Sequence, residues 1–346
     1  MKAVLLRGIE DVIVTDVPDP KLVADGILVR VETCAVCGTD VKMFHFGYIN
    51  AKLPIIPGHE LAGTIEELRG SFPGLVKGMR VAIAPNIPCG TCYYCRKGEQ
   101  TACNKLETIG VHRNGGFAEY LEVPDRAIQE GCVFPIPESV TSEEAALIDP
   151  ASCVVNACEL SKVKPGDRVV VLGAGPAGCL CVEVSRAFGA YETILVQRSQ
   201  RRLAQASFTA ANTFIDSSKE DAVTRILDET AGGAEVVIVA CGSPEAQEQA
   251  VRMVRKRGSV NLFGGLPKNS LASKLDVNLI HYKEASVVGT HGGTNKHCAI
   301  ALGMIKDGRI QGKEYISHRA PLAEFPTALK IAEGKGGLKV FVSALY

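Results

Sequence analysis

At 346 residues the chain is longer than one hydrophobic core comfortably supports, so two domains are expected. Lys plus Arg and Asp plus Glu number 38 each, so no net field points to nucleic acid or to an anionic membrane. The first residues form no secretory apolar segment, and no apolar run approaches the roughly 18 residues that a membrane helix needs.

Short apolar runs separated by turn residues occupy the first part of the chain. Pro18, Pro20 and Asp25 divide the earliest runs, a pattern that predicts antiparallel strands with turns. A helix is expected from Glu143 to about Pro150. Strands are expected at residues 3–6, 12–14, 27–31, 62–65, 80–83 and 115–120.

A segment between the third and fourth of these runs carries donors for a divalent metal. They are the thiol of Cys37, the imidazole of His59 and the carboxylate of Glu60. Soft sulfur with imidazole nitrogen selects zinc over calcium or magnesium. Thr39 and Asp40 add a hydroxyl and a second carboxylate beside Cys37. In the alternative interpretation Cys37 is a core thiol and His59 a capping or turn residue.

Residues 86–104 leave the strand pattern and carry four cysteines with the spacing C-x2-C-x2-C-x7-C. These are Cys89, Cys92, Cys95 and Cys103. Four thiolates fit a closed tetrahedral zinc site. An iron–sulfur cluster is the strongest rival, but bacterial ferredoxins have a third gap of three residues followed by Cys-Pro. Clustered thiols in a reducing compartment favour metal over disulfides, so structural zinc and a cytoplasmic location are expected.

From Lys164 onward, strand patterns alternate with helical ones. Strands are expected at residues 168–172, 193–196, 212–215, 235–240, 259–263 and 285–289. Helices are expected at residues 176–188, 203–211, 222–230 and 244–256, then at 296–305 and 324–333 before a closing strand at 339–344. This alternation predicts a doubly wound parallel sheet.

The turn after the first of these strands reads G-x-G-x-x-G. Its glycines are Gly173, Gly175 and Gly178, with Pro176 and Ala177 between the last two. The motif follows a strand and opens a helix, the context in which it binds a dinucleotide. The glycines allow a tight turn and a close approach to a pyrophosphate, and the helix N-terminus offers N–H groups to it.

In the part of the chain after Lys164, the residue at the end of the second strand selects the coenzyme. An acid there would hold the ribose 2′-hydroxyl of NAD. The chain has Gln197 instead, followed by Arg198, Ser199, Arg201 and Arg202, and guanidinium groups can bind a 2′-phosphate. NADP is therefore favoured over NAD. The alternative is that Arg201 and Arg202 only cover a helix surface.

Together these motifs resemble the zinc-containing medium-chain dehydrogenase/reductase family, most of all its sorbitol (L-iditol), galactitol-phosphate and threonine dehydrogenase branch. Cys37-Gly38-Thr39-Asp40 and Gly58-His59-Glu60 match its catalytic-zinc motifs, and the four-cysteine loop matches its structural-zinc lobe. The polyol branch has a Glu-Pro-Leu-Ser-type motif where this chain has Asp149-Pro150-Ala151-Ser152. The shorter acid leaves open whether Asp149 binds the metal directly or through water while Glu60 completes the set.

The resemblance implies an α/β architecture of two domains. A GroES-like, β-rich catalytic domain would comprise residues 1–150 and 291–346, with the zinc lobe at 86–104. A Rossmann domain would comprise residues 151–290. The resemblance further implies two zinc ions per subunit, a substrate cleft and a homodimer or homotetramer.

The implied reaction is hydride transfer between a secondary alcohol of a polyol, sugar or cyclitol and a nicotinamide coenzyme. The resemblance assigns a proton-relay role to Thr39, and a carboxylate such as Asp40 commonly holds the second nitrogen of a zinc-bound histidine such as His59. The alternatives are an amino-alcohol or threonine dehydrogenase and, in another class, a non-catalytic zinc- and nucleotide-binding protein. No nucleic-acid or membrane partner is expected.

Overall fold

The computed structural model describes residues 1–47, 51–266, 270, 272–334 and 336–346. The chain forms two compact units. The first comprises Met1–Ser152, Gly293–Gly308 and Gly312–Tyr346, and the second comprises Cys153–Gly292 and Arg309–Gln311. In the part of the chain that is described, no helix has both the length and the apolar character that crossing a membrane requires.

The strands, in chain order, are β1 (Lys2–Gly8), β2 (Asp11–Asp16), β3 (Gly26–Ala35), β4 (Glu60–Arg69), β5 (Arg80–Ile83), β6 (Asn86–Ile87), β7 (Glu107–Thr108), β8 (Tyr120–Pro124), β9 (Val133–Pro135), β10 (Arg168–Leu172), β11 (Glu192–Gln197), β12 (Thr213–Asp216), β13 (Ala234–Val239), β14 (Val254–Leu262), β15 (Ser286–Gly289), β16 (Ile316–Pro321) and β17 (Lys339–Ser343).

The α-helices are α1 (Gly38–Phe46), α2 (Tyr93–Arg96), α3 (Asp125–Gln129), α4 (Ser142–Ala146), α5 (Ile148–Leu160), α6 (Pro176–Ala187), α7 (Gln200–Gln205), α8 (Ala222–Glu229), α9 (Pro244–Met253), α10 (Val277–Lys283), α11 (Asn295–Lys306) and α12 (Phe325–Glu333). Short 3-10 helices cover Gln100–Ala102, Ser207–Thr209, Gly312–Tyr315 and Leu322–Glu324.

A mostly antiparallel sheet forms the core of the first unit. Its strand order is β16-β17-β3-β4-β5-β9, and β8 pairs with β3. In β3, Val29 and Val31 are buried while Arg30 between them is half-buried, as expected of a strand with one covered face. Two small two-stranded sheets, β1-β2 and β6-β7, complete the strand pairing described for this unit.

A six-stranded parallel sheet forms the second unit, in the order β12-β11-β10-β13-β14-β15. Its interior is rich in β-branched residues such as Val170, Ile194 and Val237, which are fully buried. The strand order reverses direction beside β10, so the turn after β10 lies at the switch point where such sheets bind ligands. The prediction of an α/β chain with a doubly wound sheet is confirmed.

The predicted helix at residues 244–256 is wrong in its last turn. The helix α9 ends at Met253, and β14 begins at Val254. The Nζ of Lys283 donates to the carbonyls of Val251, Arg252 and Val254, which satisfies the carbonyl groups that a helix end leaves open. That cap comes from a residue distant in sequence, so local propensity could not predict it.

Candidate functional site

The first candidate centre lies between the end of β3 and the start of β4. Cys37 is the N-cap of α1, and His59 and Glu60 stand where β4 begins. Gly58 precedes them with a φ of 97°, and a Cβ there would come within 2.8 Å of Cys34 Sγ and of the Phe117 ring. A side chain at position 58 would therefore displace the segment that delivers His59.

The ligand atoms of Cys37, His59 and Glu60 all lie within 4.8 Å of one another. His59 and Glu60 are buried, at 6% and 0% exposure, and Cys37 is half-buried. Because the group combines a thiol, an imidazole and a carboxylate, its donor set suits zinc. The structure thus brings together three of the residues that the sequence nominated.

Asp40 connects the helix to the imidazole. Its Oδ2 accepts a hydrogen bond of 2.9 Å from the backbone N–H of Cys37. Its Oδ1 lies 3.5 Å from Nδ1 of His59, and these two buried atoms have no hydrogen-bond partner in the structure described. With Nδ1 turned toward Asp40, Nε2 is the nitrogen left for a ligand, which is the usual arrangement at zinc-bound histidines.

The charges around His59 favour a cation. Burial by itself would lower the pKa of His59, but the negative charges of Asp40 and Cys37 outweigh it and raise that pKa well above its usual value. The same negative charges would stabilise a bound metal ion. The residues therefore fit the zinc that the sequence predicts.

Lys339, which was not among the residues predicted from the sequence, supplies the positive charge that pairs with Glu60. Its Nζ donates to both carboxylate oxygens of Glu60, and the two side chains are 5% and 0% exposed. Burial opposes the charge of Lys339, but Glu60 and Cys37 overcome this and raise its pKa. The only sequence signal was a lysine at the head of the apolar strand β17.

Asp149 lies outside the group of three. It stands in the first turn of α5 and is 8% exposed. Burial, assisted by the charge of Glu60 and opposed by that of His59, raises the pKa of Asp149 to about 6. Direct metal binding by Asp149 stays a prediction.

Thr39 is half-buried in the first turn of α1, and its proton-relay role likewise stays a prediction.

The second candidate centre is the four-cysteine lobe. The Sγ atoms of Cys89, Cys92, Cys95 and Cys103 lie within 4.8 Å of one another, and all four are free thiols. Cys103 Sγ accepts the backbone N–H groups of Cys89 and Lys105 at 3.3 and 3.4 Å. Backbone N–H groups lower the pKa of Cys89 to about 6, whereas burial and the Cys92 thiol raise that of Cys95 to about 12. Four converging sulfurs with N–H donors fit a tetrahedral zinc site.

The glycine turn joins β10 to α6 in the second unit. Gly175 is the N-cap of α6, no side chain caps the helix, and Pro176 and Ala177 are its first two residues. A Cβ at Gly178 would lie 1.7 Å from the carbonyl oxygen of Gly173, so this position requires glycine. The first N–H groups of α6 are left without a side-chain acceptor, which suits a pyrophosphate.

The residues at the end of β11 that are predicted to choose between NAD and NADP differ in their contacts and exposure. Gln197 Oε1 accepts the backbone N–H of Arg198 at 2.7 Å, and Ser199 Oγ caps α7 by accepting the N–H of Arg202 at 3.4 Å. The side chain of Arg198 is 69% exposed, whereas Arg202 is 8% exposed. Arg202 therefore does not simply cover a helix surface, whereas Arg198 and Arg201 are both exposed.

Comparison with known proteins agrees with this arrangement. Residues 23–138 match the alcohol dehydrogenase GroES-like domain, and residues 176–307 match the zinc-binding dehydrogenase domain. The chain is 30% identical to sorbitol dehydrogenase of Bombyx mori over 98% of this chain and 97% of that protein. It is 31% identical to D-arabinitol dehydrogenase 1 of Uromyces fabae over 93% and 91% of the respective chains.

Among solved structures, a dehydrogenase from Sinorhizobium meliloti 1021, described as zinc-binding and bound to NADP, superposes with a TM-score of 0.91. It shares 32% identity, covering 99% of this chain and 98% of the other. The chain therefore belongs to the zinc-containing medium-chain dehydrogenase/reductase family and is an oxidoreductase.

Proposed function

We propose that this protein is a zinc- and nicotinamide-dependent dehydrogenase acting on a secondary alcohol of a polyol, sugar or cyclitol. The convergence of Cys37, His59 and Glu60 within 4.8 Å carries the proposal. The substrate class is supported by relatives named for sorbitol and D-arabinitol.

The chain's own residues divide the work of the proposed reaction. Zinc would supply Lewis-acid polarisation of the substrate oxygen, and the nicotinamide would exchange the hydride. Cys37, His59 and Glu60 would hold the metal. Glu60 would at the same time remain paired with Lys339. Asp40 would fix the ring of His59 through Nδ1, 3.5 Å away.

Thr39 would transfer the proton, and Asp149 would act at the metal. The hydroxyl of Thr39, one residue from the N-terminus of α1, would accept the proton leaving the substrate and pass it outward. The buried carboxylate of Asp149 would bind the metal directly or hold a water molecule beside it.

The four-cysteine lobe would hold a second, structural zinc ion in each subunit. We further propose a homodimer or homotetramer in the cytoplasm. The domain limits that we propose are residues 1–150 with 291–346, and residues 151–290.

The proposed coenzyme is NADP in preference to NAD. No acid stands at the end of β11, where Gln197 and Arg198 lie instead, and the guanidinium of Arg198 is exposed. The glycine turn from Gly173 to Gly178 would receive the pyrophosphate at the N-terminus of α6. A relative of 32% identity was solved bound to NADP.

A substrate panel tests the function. Polyols, cyclitols, sugar phosphates and threonine would each be offered with NAD and with NADP, and reduced-nicotinamide absorbance would be followed. A polyol, sugar or cyclitol should give the highest kcat/KM, and NADP should exceed NAD. A clear preference for threonine would replace the substrate class, and no turnover by zinc-loaded protein with any alcohol would refute the proposal.

A further inference from the structure

Three strand ends meet at one edge of the parallel sheet. The strands β11, β10 and β13 are neighbours in that order, and all run in the same direction. The N–H of Gly173 donates to Val196 O at 2.8 Å, and the N–H of Ala240 donates to Leu172 O at 2.9 Å. The loops after β11 and β13 therefore flank the glycine turn on its two sides.

An ion pair joins these flanking loops. Arg198 follows β11 directly, and Glu245 stands in the first turn of α9, after β13. Arg198 Nη1 lies 3.5 Å from Glu245 Oε2, with the two side chains 69% and 63% exposed. The other oxygen of Glu245 accepts from Gln249 Nε2 at 3.4 Å. The pair thus runs from one flank of the glycine turn to the other.

We propose that Glu245 is a specificity-determining residue that competes with the 2′-phosphate of NADP for Arg198. This inference rests on the proposed nicotinamide-dependent function. Exposed ion pairs contribute little free energy. A phosphate that binds Arg198 in fork geometry can therefore displace Glu245. The displaced carboxylate remains beside the phosphate and repels it. The neutral 2′-hydroxyl of NAD meets no such competition, so Glu245 moderates the preference for NADP.

A purely structural role for Glu245 makes a different prediction. An acid in the first turn of a helix interacts favourably with the helix dipole, and Ser243 and Pro244 already begin α9 in the usual way. If Glu245 served only α9, then Glu245→Gln would change thermal stability slightly and leave the ratio of ligand affinities untouched. The ratio, rather than either affinity alone, is therefore the decisive quantity.

The experiment is isothermal titration calorimetry on the full-length protein at low ionic strength. The probes are adenosine 2′,5′-bisphosphate and adenosine 5′-monophosphate, which differ only in the 2′-phosphate and need no turnover. Glu245→Gln, which preserves the side-chain shape, should raise affinity for the bisphosphate by about 3- to 10-fold. Its affinity for the monophosphate should stay constant.

Two further variants separate the explanations. Glu248→Gln removes the same charge from the same helix and should leave both affinities unchanged. When Arg198 is already replaced by Gln, adding Glu245→Gln should raise the affinity for the bisphosphate by less than it does in the wild type, because the two residues act through one contact. An equal change for both probes, no change, or the same gain in Glu248→Gln would overturn the inference. Failure of the wild-type protein to bind NAD and NADP at all would instead overturn the proposed function.

Discussion

The two candidate metal centres lie in the same unit of the molecule and are built in opposite ways. The four-cysteine lobe draws its ligands from one loop, residues 89–103, and three of its four cysteines are half-exposed. The other centre combines the N-terminus of α1 with the start of β4, and its counter-charge comes from Lys339 on β17. One centre is local in sequence, and the other exists only after the sheet has formed.

The two arrangements imply different roles for the metal in the two centres. The lobe consists of a four-residue helix, a 3-10 turn and loop, so its metal would substitute for a missing core. The other centre is supported by β3, β4 and β17, which are paired within one sheet whether or not a metal is bound. Metal loss should therefore unfold the lobe, whereas at the buried centre it should remove activity and leave the fold.

The largest effect on stability is expected from Cys92→Ser in the lobe. Structural zinc binding is worth about 10–16 kcal/mol in small domains, so losing one thiolate should cost about 5 kcal/mol of local stability. Hydrogen exchange of peptides covering residues 86–108 should become fast, with β10 to β13 unaffected as the internal control. Unchanged protection of the lobe would contradict a structural zinc there.

The next effect is expected from Lys339→Met. The substitution leaves Glu60 buried without its cation, and breaking such a pair costs about 3–5 kcal/mol. Urea denaturation of the metal-free protein should reveal that loss, and zinc should recover part of it. Lys339→Arg keeps the charge and should lose less, while Lys330→Met, on the exposed face of α12, should change little. Equal stability of Lys339→Met and the wild type would show that Glu60 does not need the lysine.

A smaller effect, confined to turnover, is expected from Thr39→Val. Removing a residue that transfers a proton typically lowers kcat by about 10²-fold or more. Zinc content and coenzyme affinity should hold, because valine has nearly the same shape and Thr39 is not proposed as a ligand. Thr39→Ser retains the hydroxyl and should keep most of the turnover. A wild-type kcat in Thr39→Val would remove the relay.

The smallest effect concerns pH and His45, on α1 beyond the metal centre. Its Nδ1 lies 3.1 Å from Glu10 and its Nε2 2.8 Å from Glu333, so only the doubly protonated imidazolium donates to both. The hydrogen bond to Glu10, followed by that to Glu333, raises the pKa of His45 above its ordinary value.

The direction in which stability changes with pH follows from the raised pKa of His45. The stabilisation is complete below the ordinary histidine pKa of about 6.5 and is lost as the pH rises through the raised value in the folded protein. Melting temperatures should therefore fall from pH 6 toward pH 9 more steeply in the wild type than in His45→Gln. The ion pair of Arg7 with Asp11, on the two strands that flank Glu10, is common to both proteins. Parallel pH profiles would contradict this assignment.

The sequence could predict whatever depends on spacing or periodicity. The four-cysteine lobe, the glycine turn and the six parallel strands follow from such local patterns, and Cys37 and His59 were nominated from their chemistry. Lys339, Glu245 and the carboxylates around His45 could not be predicted, because their partners lie far away in sequence. Asp149 was nominated through the family resemblance, and the structure shows it as a buried acid outside the group of three.

Zinc analysis of Cys37→Ser, with the wild type and Cys92→Ser as references, is the decisive test of a catalytic metal held by Cys37, His59 and Glu60. Two zinc ions are expected per wild-type subunit. One is expected in Cys37→Ser, with turnover reduced by at least about 10³-fold, the fold retained, and a melting temperature lowered only by the binding free energy of the lost ion. A Cys37→Ser protein that retains two zinc ions and wild-type turnover would contradict a catalytic metal held by Cys37, His59 and Glu60.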